Sequence, residues 1–424
     1  MVAIMLVVFA LLAVFGVHVA VALGLGVVIS VVCASNFSLV TVMQRMVSGV
    51  DSYTLLAIPL FMLTGSLMNA GGITDRIFNF CKACVGHIRG GLGHVNVLAS
   101  MVFAGMSGSA VADAGGLGQV EIKAMNDEGY PPAFSGAVTA VSSCIGPIIP
   151  PSIPFVMYAA IAEVSPSSLF LAGLVPGIFM GLGMMITIYI LSYVWEFPKS
   201  EKRAGLKVLG HAFVQAILPL MTVLIIMGGI MGGVFTPTEA SAVAAAYSFV
   251  LSFFVYKSIK LKDLPKVIID TVLSTSIVVF IMAASSPFSF ILIMNKVASA
   301  LAAFVTSVAS SKFLILFILN VIMLILGCFM EAGMLITLLT PLFLPIAKAI
   351  GVDYIQFGVI MCLNLMIGVV TPPVGMSLFV VTKLSGQTIE QLTKPVLILL
   401  IPLLLVLALV TYVPAFSLWF PSLF

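Results

Sequence analysis

Long apolar stretches alternate with short polar ones along the whole chain. The apolar runs fall near 2–34, 53–70, 92–107, 133–160, 167–197, 211–235, 238–256, 271–295, 312–330, 353–380 and 395–420. A helix needs about 20 residues to cross the hydrocarbon core of a bilayer, so this pattern predicts about ten to twelve crossings. The run that opens the chain has no basic leader and no convincing small-residue cleavage site, so it reads as a first membrane helix. Two segments, 92–128 and 312–350, turn from apolar to Gly/Ser-rich or acidic in their middles and read as re-entrant hairpins. Two others, 133–160 and 353–380, are interrupted by a glycine and a double proline.

The two interruptions are copies of one another. Gly146-Pro-Ile-Ile-Pro150-Pro151 and Gly368-Val-Val-Thr-Pro372-Pro373 lie 222 residues apart, and the same offset sets Gly105 on Gly327, Gly129 on Gly351 and Gly136 on Gly358. Proline inside a helix removes a backbone hydrogen bond and clashes with the preceding turn. The carbonyls and amides so released cannot face lipid, where each unsatisfied group costs several kcal/mol. They line a cavity or hold a ligand. One break alone would read as a kinked structural helix. Two breaks at matching positions, each preceded by a hairpin, point to a secondary transporter with its binding site between the repeats.

Composition agrees with a membrane protein. The 424 residues are 62% hydrophobic and 8% charged, with 18 Lys+Arg and 15 Asp+Glu, whereas a soluble domain carries about 45–50% apolar and about 25% charged residues. A soluble enzyme, a nucleic-acid binder and a disordered chain are thereby excluded. Basic residues concentrate in 198–207 and at Lys257, Lys260, Lys262 and Lys266, with two crossings between them. Both loops therefore fall on one side, which the positive-inside rule makes the cytoplasm. Of the six cysteines only Cys81 and Cys84 are close, with His87 three residues further on; a metal or redox role needs more ligands or a soluble redox fold than are visible, so they read as small apolar residues. Thr236-Pro237-Thr238-Glu239 has the form of a helix start with a capping box; contact with an ion or substrate is the other reading of Glu239.

The candidate chemistry sits at the hairpin tips and breaks. The first tip reads Gly105-Met-Ser107-Gly-Ser109-Ala-Val-Ala-Asp113, the second Gly327-Cys-Phe-Met-Glu331. Ser142, Ser143 and Ser152 flank the first break, Asn364 and Thr371 the second. Hydroxyls and unwound carbonyls suit a small hard cation, and the exposed N-termini of half-helices suit an anion. The titratable candidates are Asp113, Glu163 and Glu331, none within a break, which favours Na⁺ over H⁺ as coupling ion. Gly105-Met-Ser107-Gly108 also matches the G-x-S-G of rhomboid intramembrane proteases. His211 is the only histidine after Ser107, however, and it adjoins the basic loop. A channel is a further alternative.

The chain resembles the large membrane subunit of tripartite ATP-independent periplasmic (TRAP) transporters nearly from end to end. The resemblance is carried by Leu56-Ala-Ile-Pro-Leu-Phe61 with Gly65 and Asn69-Ala-Gly-Gly72, by Ser107-Gly-Ser-Ala-Val-Ala-Asp113, by Pro147-Ile-Ile-Pro-Pro-Ser-Ile-Pro154, by Phe235-Thr-Pro-Thr-Glu-Ala240 and by Gly368-Val-Val-Thr-Pro-Pro-Val-Gly375. It implies an all-α, polytopic, inverted-repeat elevator transporter of the ion transporter superfamily type, with about 11 membrane helices and two re-entrant hairpins, in the bacterial inner membrane. The implied division is N-terminal scaffold helices at 1–70, a first transport repeat at 71–197, connecting scaffold helices and cytoplasmic loops at 198–270, and a second repeat at 271–424. The implied activity is Na⁺-driven uptake of an organic acid anion (sialic acid, a C4-dicarboxylate or a sugar acid), with H⁺ coupling without a binding protein as the alternative. The implied partners are a periplasmic substrate-binding protein and a small membrane subunit, the latter expected as a separate polypeptide because no extra four-helix block precedes the first run. Carried over by motif, one Na⁺ site uses Ser107, Ser143, Gly146, Ile149 and Pro150, and a second uses Gly327, Gly368 and Thr371. The substrate carboxylate meets Ser107 and Ser152. Glu331 stands where relatives often have Asp, and it joins the substrate-binding candidates.

Overall fold

The structure is a computed structural model that describes residues 1–34, 38–195, 197–198, 203–308 and 311–424; of residues 14, 105–107, 112, 302 and 304–308 it describes the backbone alone. The run at 2–34 is not one helix. α1 (Val2–Val14) and α2 (Val19–Ala34) are joined at a sharp reversal. Gly16 takes φ 75°, its N–H donates to Ala13 O, and the Val17 N–H donates to Leu12 O. This hydrogen-bond pair, closed by a left-handed glycine, ends a helix regardless of how apolar the surrounding residues are. Gly26 of α2 then stands against Met5 and Phe9 of α1, so the chain doubles back. The arms, about 20 and 24 Å long at 1.5 Å per residue, are each shorter than the hydrocarbon core.

α3 (Leu39–Ser48), capped by the Ser38 hydroxyl, leads to α4 (Ala57–Ala70) and α5 (Ile73–Val85). α6 (Gly91–Ser107) and α7 (Ala110–Asp127) form the first hairpin, turning through Gly108 at φ 61° and Ser109. α8 (Pro132–Ser142) and α9 (Ile153–Ala162) are the halves of the first broken helix, with 143–152 unwound between them. α10 (Pro166–Val194), α11 (Leu206–Met231) and α12 (Pro237–Val250) follow. α12 starts with the expected capping box: Glu239 accepts from the Thr236 N–H at 2.8 Å, and Thr236 Oγ1 accepts from the Glu239 N–H. α13 (Leu264–Met294) and α14 (Val297–Val308) precede the second hairpin, α15 (Lys312–Phe329) and α16 (Ala332–Ala349), which turns at Met330 and Glu331. The second broken helix is α17 (Tyr354–Gly368) and α18 (Met376–Ser385), and α19 (Ile389–Tyr412) and α20 (Ala415–Leu418) close the fold.

Among the described residues, eight helices are long and apolar enough to cross a membrane. This is fewer than the run count, because each break leaves half-helices and the first run is a hairpin. The long helices bury one face and leave apolar residues on the other, as Ile186 and Ile190 on α10, Leu224 on α11, Phe317 on α15 and Leu405 on α19 illustrate. An apolar outer surface of this kind suits lipid, and the fold is an all-helical, multi-pass membrane protein.

The two repeats interlock. α9 lies on α16 and α17, and its counterpart α18 lies on α7 and α8. At the centre the Cys144 thiol donates to Met366 O at 3.0 Å, a pair 222 residues apart in sequence. Equivalent positions that touch one another place the pseudo-two-fold axis between them. Each hairpin is also clasped to its own broken helix, at equivalent positions of the broken helices and at hairpin positions two residues from equivalence. Ser142 Oγ donates to Asn96 Oδ1 at 2.8 Å, and Asn364 Nδ2 donates to Asn320 Oδ1 at 2.7 Å, with all four residues buried or partly buried. Interhelical hydrogen bonds in a membrane contribute about 0.6–2 kcal/mol each. α13 packs on α2, α3 and α4 and also touches α16.

Candidate functional site

Four helix N-termini meet at one cavity. It holds about 90 Å³ and is lined by Ser109 and Ala110 at the start of α7, Ile153 and Pro154 at the start of α9, Glu331, Ala332 and Gly333 at the start of α16, and Met376 at the start of α18. The hairpin turns and Pro-rich breaks produce this arrangement directly, because each halts one helix at mid-depth and begins another there. The first-turn amides of a helix have no intrahelical acceptor, and the helix dipole adds positive potential at that end. Such ends favour an anion; at α16 the Glu331 carboxylate itself stands at the N-cap, and at α9 the Ser152 hydroxyl accepts from the Phe155 N–H. A second cavity of about 470 Å³ between α4, α7 and α13 shares Met62, Ser109 and Val111 with the first and adds Ser66, Asn69 and Ser274. The two cavities therefore adjoin.

The first break gathers most of the first cation set. Ser143, Gly146, Ile149 and Pro150 all lie in the unwound stretch, and Gly108 of the hairpin turn abuts it, since a Cβ there would stand 2.8 Å from Pro151 O. Ser143 Oγ donates to Ala140 O at 2.7 Å. The carbonyls of Gly146, Ile148, Ile149 and Pro150 accept no hydrogen bond among the described residues. Ser107 ends α6, and its side chain lies outside the described residues. At the second break, Gly327 and Gly368 meet backbone to backbone: a Cβ on Gly368 would stand 2.6 Å from the Gly327 Cα. Thr371 Oγ1 donates to Ile367 O at 2.7 Å, leaving its lone pairs and the carbonyls of Val370 and Thr371 open among the described residues. Both Pro–Pro bonds, 150–151 and 372–373, are cis.

Ser152 occupies a different place from the one its hydroxyl suggests. It is fully buried, donates to Pro147 O and accepts from the Phe155 N–H at 3.2 Å, so it caps α9 and is not among the residues lining the chamber. Glu331 does line the chamber, at the N-cap of α16, with its Oε1 3.2 Å from the point where a Cβ on Gly333 would sit. Glu163 stands at the far end of α9, at φ 55°, away from the breaks.

One acidic residue, Glu121, escaped the sequence reading, and another, the titratable candidate Asp113, lies closer to a break than its place in the sequence shows. Asp113 reaches the first break from α7: a Cβ on Gly146 would stand 2.2 Å from its Oδ2. The break that carries no titratable residue of its own is therefore faced by a carboxylate. Glu121, one helical face further along α7, is 1% exposed and its Oε1 has no hydrogen-bond partner among the described residues. The signal available in the sequence was spacing, since Asp113 and Glu121 lie eight residues apart on one helix and so share a side.

Neither His94 nor His211 stands near the first tip to serve as a base. His94 lies thirteen residues before Ser107 on the same helix, about 20 Å away by helical rise, and contacts Arg89 O. His211 pairs with Gln215 on the first turns of α11.

Comparison with known proteins agrees with this geometry. Residues 6–416 match the family described as the tripartite ATP-independent periplasmic transporter, DctM component. The chain is 44% identical over 385 residues to the sialic acid TRAP transporter large permease protein SiaM of Vibrio cholerae, covering 90% of this chain and 89% of that protein. It is 39% identical over 400 residues to the C4-dicarboxylate TRAP transporter large permease protein DctM of Pseudomonas aeruginosa, covering 94% and 93%. Against the sialic acid TRAP transporter permease protein SiaT of Haemophilus influenzae it is 43% identical over 380 residues, 90% of this chain but 62% of that protein. Among solved structures, the YdaH transporter of Alcanivorax borkumensis superposes with a TM-score of 0.60 at 13% identity, covering 89% of this chain and 88% of that one, a likeness of fold alone. The matched relatives are transporter permeases and not enzymes. The chain belongs to the DctM family: it is the large permease subunit of a TRAP transporter.

Proposed function

We propose that this subunit carries an organic acid anion across the bacterial inner membrane by Na⁺-coupled secondary transport. A periplasmic binding protein delivers the anion, and a small membrane subunit braces the assembly. The observation that carries the reading is the convergence of the α7, α9, α16 and α18 N-termini on one chamber between two broken helices. Each N-terminus favours a nearby negative charge by about 0.3–1 kcal/mol, and the Glu331 carboxylate at the α16 end offsets part of that contribution. The names of the relatives, sialic acid for SiaM and C4-dicarboxylate for DctM, support an organic acid as the substrate.

Sodium is assigned to the two breaks. The first site takes the carbonyls of Gly146, Ile149 and Pro150 with Ser143, Ser107 and the Asp113 carboxylate; the second takes carbonyls at Gly327 and Gly368 with Thr371. Hard oxygen donors in this number suit Na⁺, and binding there tightens each hairpin on its break. Ser107 and Glu331 face the substrate, while Ser152 acts by holding the α9 terminus in position. Transport proceeds by movement of the hairpins and broken helices as a body against a scaffold that includes α1–α4, α11 and α12, in an elevator cycle; α13, most of which the sequence division put in the second repeat, is counted with the scaffold because it packs on α2, α3 and α4.

Asp113 at the first break favours a second reading, coupling to H⁺ through its carboxylate. Proteoliposomes with the small subunit and a loaded binding protein decide between them. Uptake that requires an inward Na⁺ gradient and is indifferent to an imposed proton gradient supports Na⁺ coupling. Equal uptake in Na⁺-free buffer under a proton gradient overturns it in favour of Asp113 as a proton carrier.

A further inference from the structure

A third cavity lies outside the chamber and the breaks. It holds about 310 Å³ between the end of α3 with its following turn, α13, α9 and α16. Its polar lining is Arg45, Ser48, Ser52, Ser286, Ser289 and Thr337. α13 starts at Leu264, beside the basic loop, and its 31 residues advance about 46 Å. The cavity touches Met282–Ile293 and so lies in the half of the membrane away from the lysines, the outer half by the positive-inside rule.

Arg45 differs from the other arginines that stack on rings. Arg76 lies 3.8 Å from the Tyr256 centroid, and Arg89 lies 4.0 Å from that of Tyr193. Each also donates to a carbonyl, Arg76 to Gly72 O and Arg89 to Ser192 O. Arg45 lies 4.1 Å from the Phe290 centroid, yet among the described residues it donates no hydrogen bond and meets no carboxylate. Stacking fixes the plane of the guanidinium and leaves its edge donors directed outward.

The serines facing it are also unspent. Hydroxyls inside membrane helices commonly donate back to the preceding turn. On α13, Thr271, Ser274, Ser276 and Ser285 all do so. Ser286 and Ser289, three residues apart on one face, make no hydrogen bond among the described residues. Gly49 brings the end of α3 down on them, since a Cβ there would stand 2.3 Å from the Ser286 Cβ.

We propose that this cavity is a second oxyanion site, in which the Arg45 fork binds a carboxylate or phosphate and Ser286 and Ser289 donate to its remaining lone pairs. Arginine presents parallel N–H donors that match both groups. The cavity spans α3 and α13 on one side and α9 and α16 on the other, so an occupant bridges elements of the scaffold and of the moving repeats. Two sources carry the oxyanion: a soluble organic acid arriving from outside, or the headgroup of an anionic phospholipid. The first source rests on the transport reading above; the site itself does not.

A local reporter tests the site without transport. Ser289→Cys, combined with Cys33→Ser, is reconstituted in phosphatidylcholine nanodiscs, and the rate at which a charged thiosulfonate reagent converts its thiol to a mixed disulfide, releasing sulfinate, is measured. Slowing by succinate or sialic acid assigns a soluble acid; slowing by phosphatidylglycerol in the disc, with no acid present, assigns a lipid headgroup. Either is expected to fall away in Arg45→Gln, with apparent affinity weakened about tenfold or more. Arg45→Lys, which keeps the charge and stem, is expected to retain part of the protection. Absence of protection by all of these probes, or protection undiminished in Arg45→Gln, overturns the proposal. Uptake measured in parallel separates the two readings, because protection at Ser289→Cys with failed Na⁺-driven uptake leaves this site standing while the transport reading falls.

Discussion

Gly368→Ala is the sharpest perturbation of the second break. The added methyl would meet the Gly327 Cα at 2.6 Å and its carbonyl carbon at 2.7 Å. These are backbone atoms, with no flexible end to swing aside, so α15 and α17 must separate by about 1 Å to restore ordinary contact. Overpacking of this kind costs about 1–3 kcal/mol. The displacement also opens the space between Gly327, Gly368 and Thr371 that the second Na⁺ site needs. The expected outcome is a lower melting temperature together with a Na⁺ half-saturation for uptake raised about tenfold, the equivalent of about 1.4 kcal/mol. Gly228→Ala serves as the control, because nothing lies within 4 Å of a Cβ there. In the interior of α11 it should leave uptake unchanged and raise stability slightly, by up to about 1 kcal/mol. Proteoliposome uptake across a Na⁺ titration, with thermal melts of both variants, reads both quantities. Wild-type Na⁺ dependence in Gly368→Ala would refute the claim that the close approach of hairpin and break builds an ion site.

Three further outcomes are expected. Asp113→Asn keeps the shape beside Gly146 but removes the charge, so Na⁺ half-saturation should rise about tenfold while expression holds; a shift in the pH profile with unchanged Na⁺ dependence would mark the carboxylate as a proton carrier. Ser152→Ala removes the α9 cap and the bond to Pro147 O, which should cost about 1 kcal/mol in a melt and weaken uptake at low substrate; uptake lost without any change in the melt would instead indicate direct substrate contact. Glu239→Ala removes the capping box of α12 and should lower stability by about 0.5–2 kcal/mol with Na⁺ half-saturation unaltered; a changed Na⁺ response would make Glu239 an ion ligand.

What could be seen in the sequence follows from which signals are local. Proline lacks an amide wherever it is placed, so Pro150-Pro151 and Pro372-Pro373 announce unwound segments without tertiary information, and the 222-residue spacing announces two of them. The capping box at Thr236 is equally local. Gly16 is not, because a single glycine inside an apolar run looks like any tolerated membrane glycine until its φ is known, and so α1 and α2 read as one helix. The Asp113 carboxylate reaches the break only through the packing of α7 on α8, which no spacing rule supplies. The same holds for the Cys144–Met366 contact, although the repeat offset held its address. Ser152 carried a legible cap signal, a serine two residues before Pro154 at the start of an apolar helix, alongside its reading as a ligand.

The account stands on an anion held where four helices begin. Its most direct measurement is a density map of the subunit in its complex, prepared with Na⁺ and a transported acid. The predicted map places the carboxylate against the first turns at Ala110, Ile153, Ala332 and Met376, with ion density at Gly146 and between Gly327 and Gly368. A map with the acid bound away from these four ends, and with both breaks free of ions at saturating Na⁺, would contradict it.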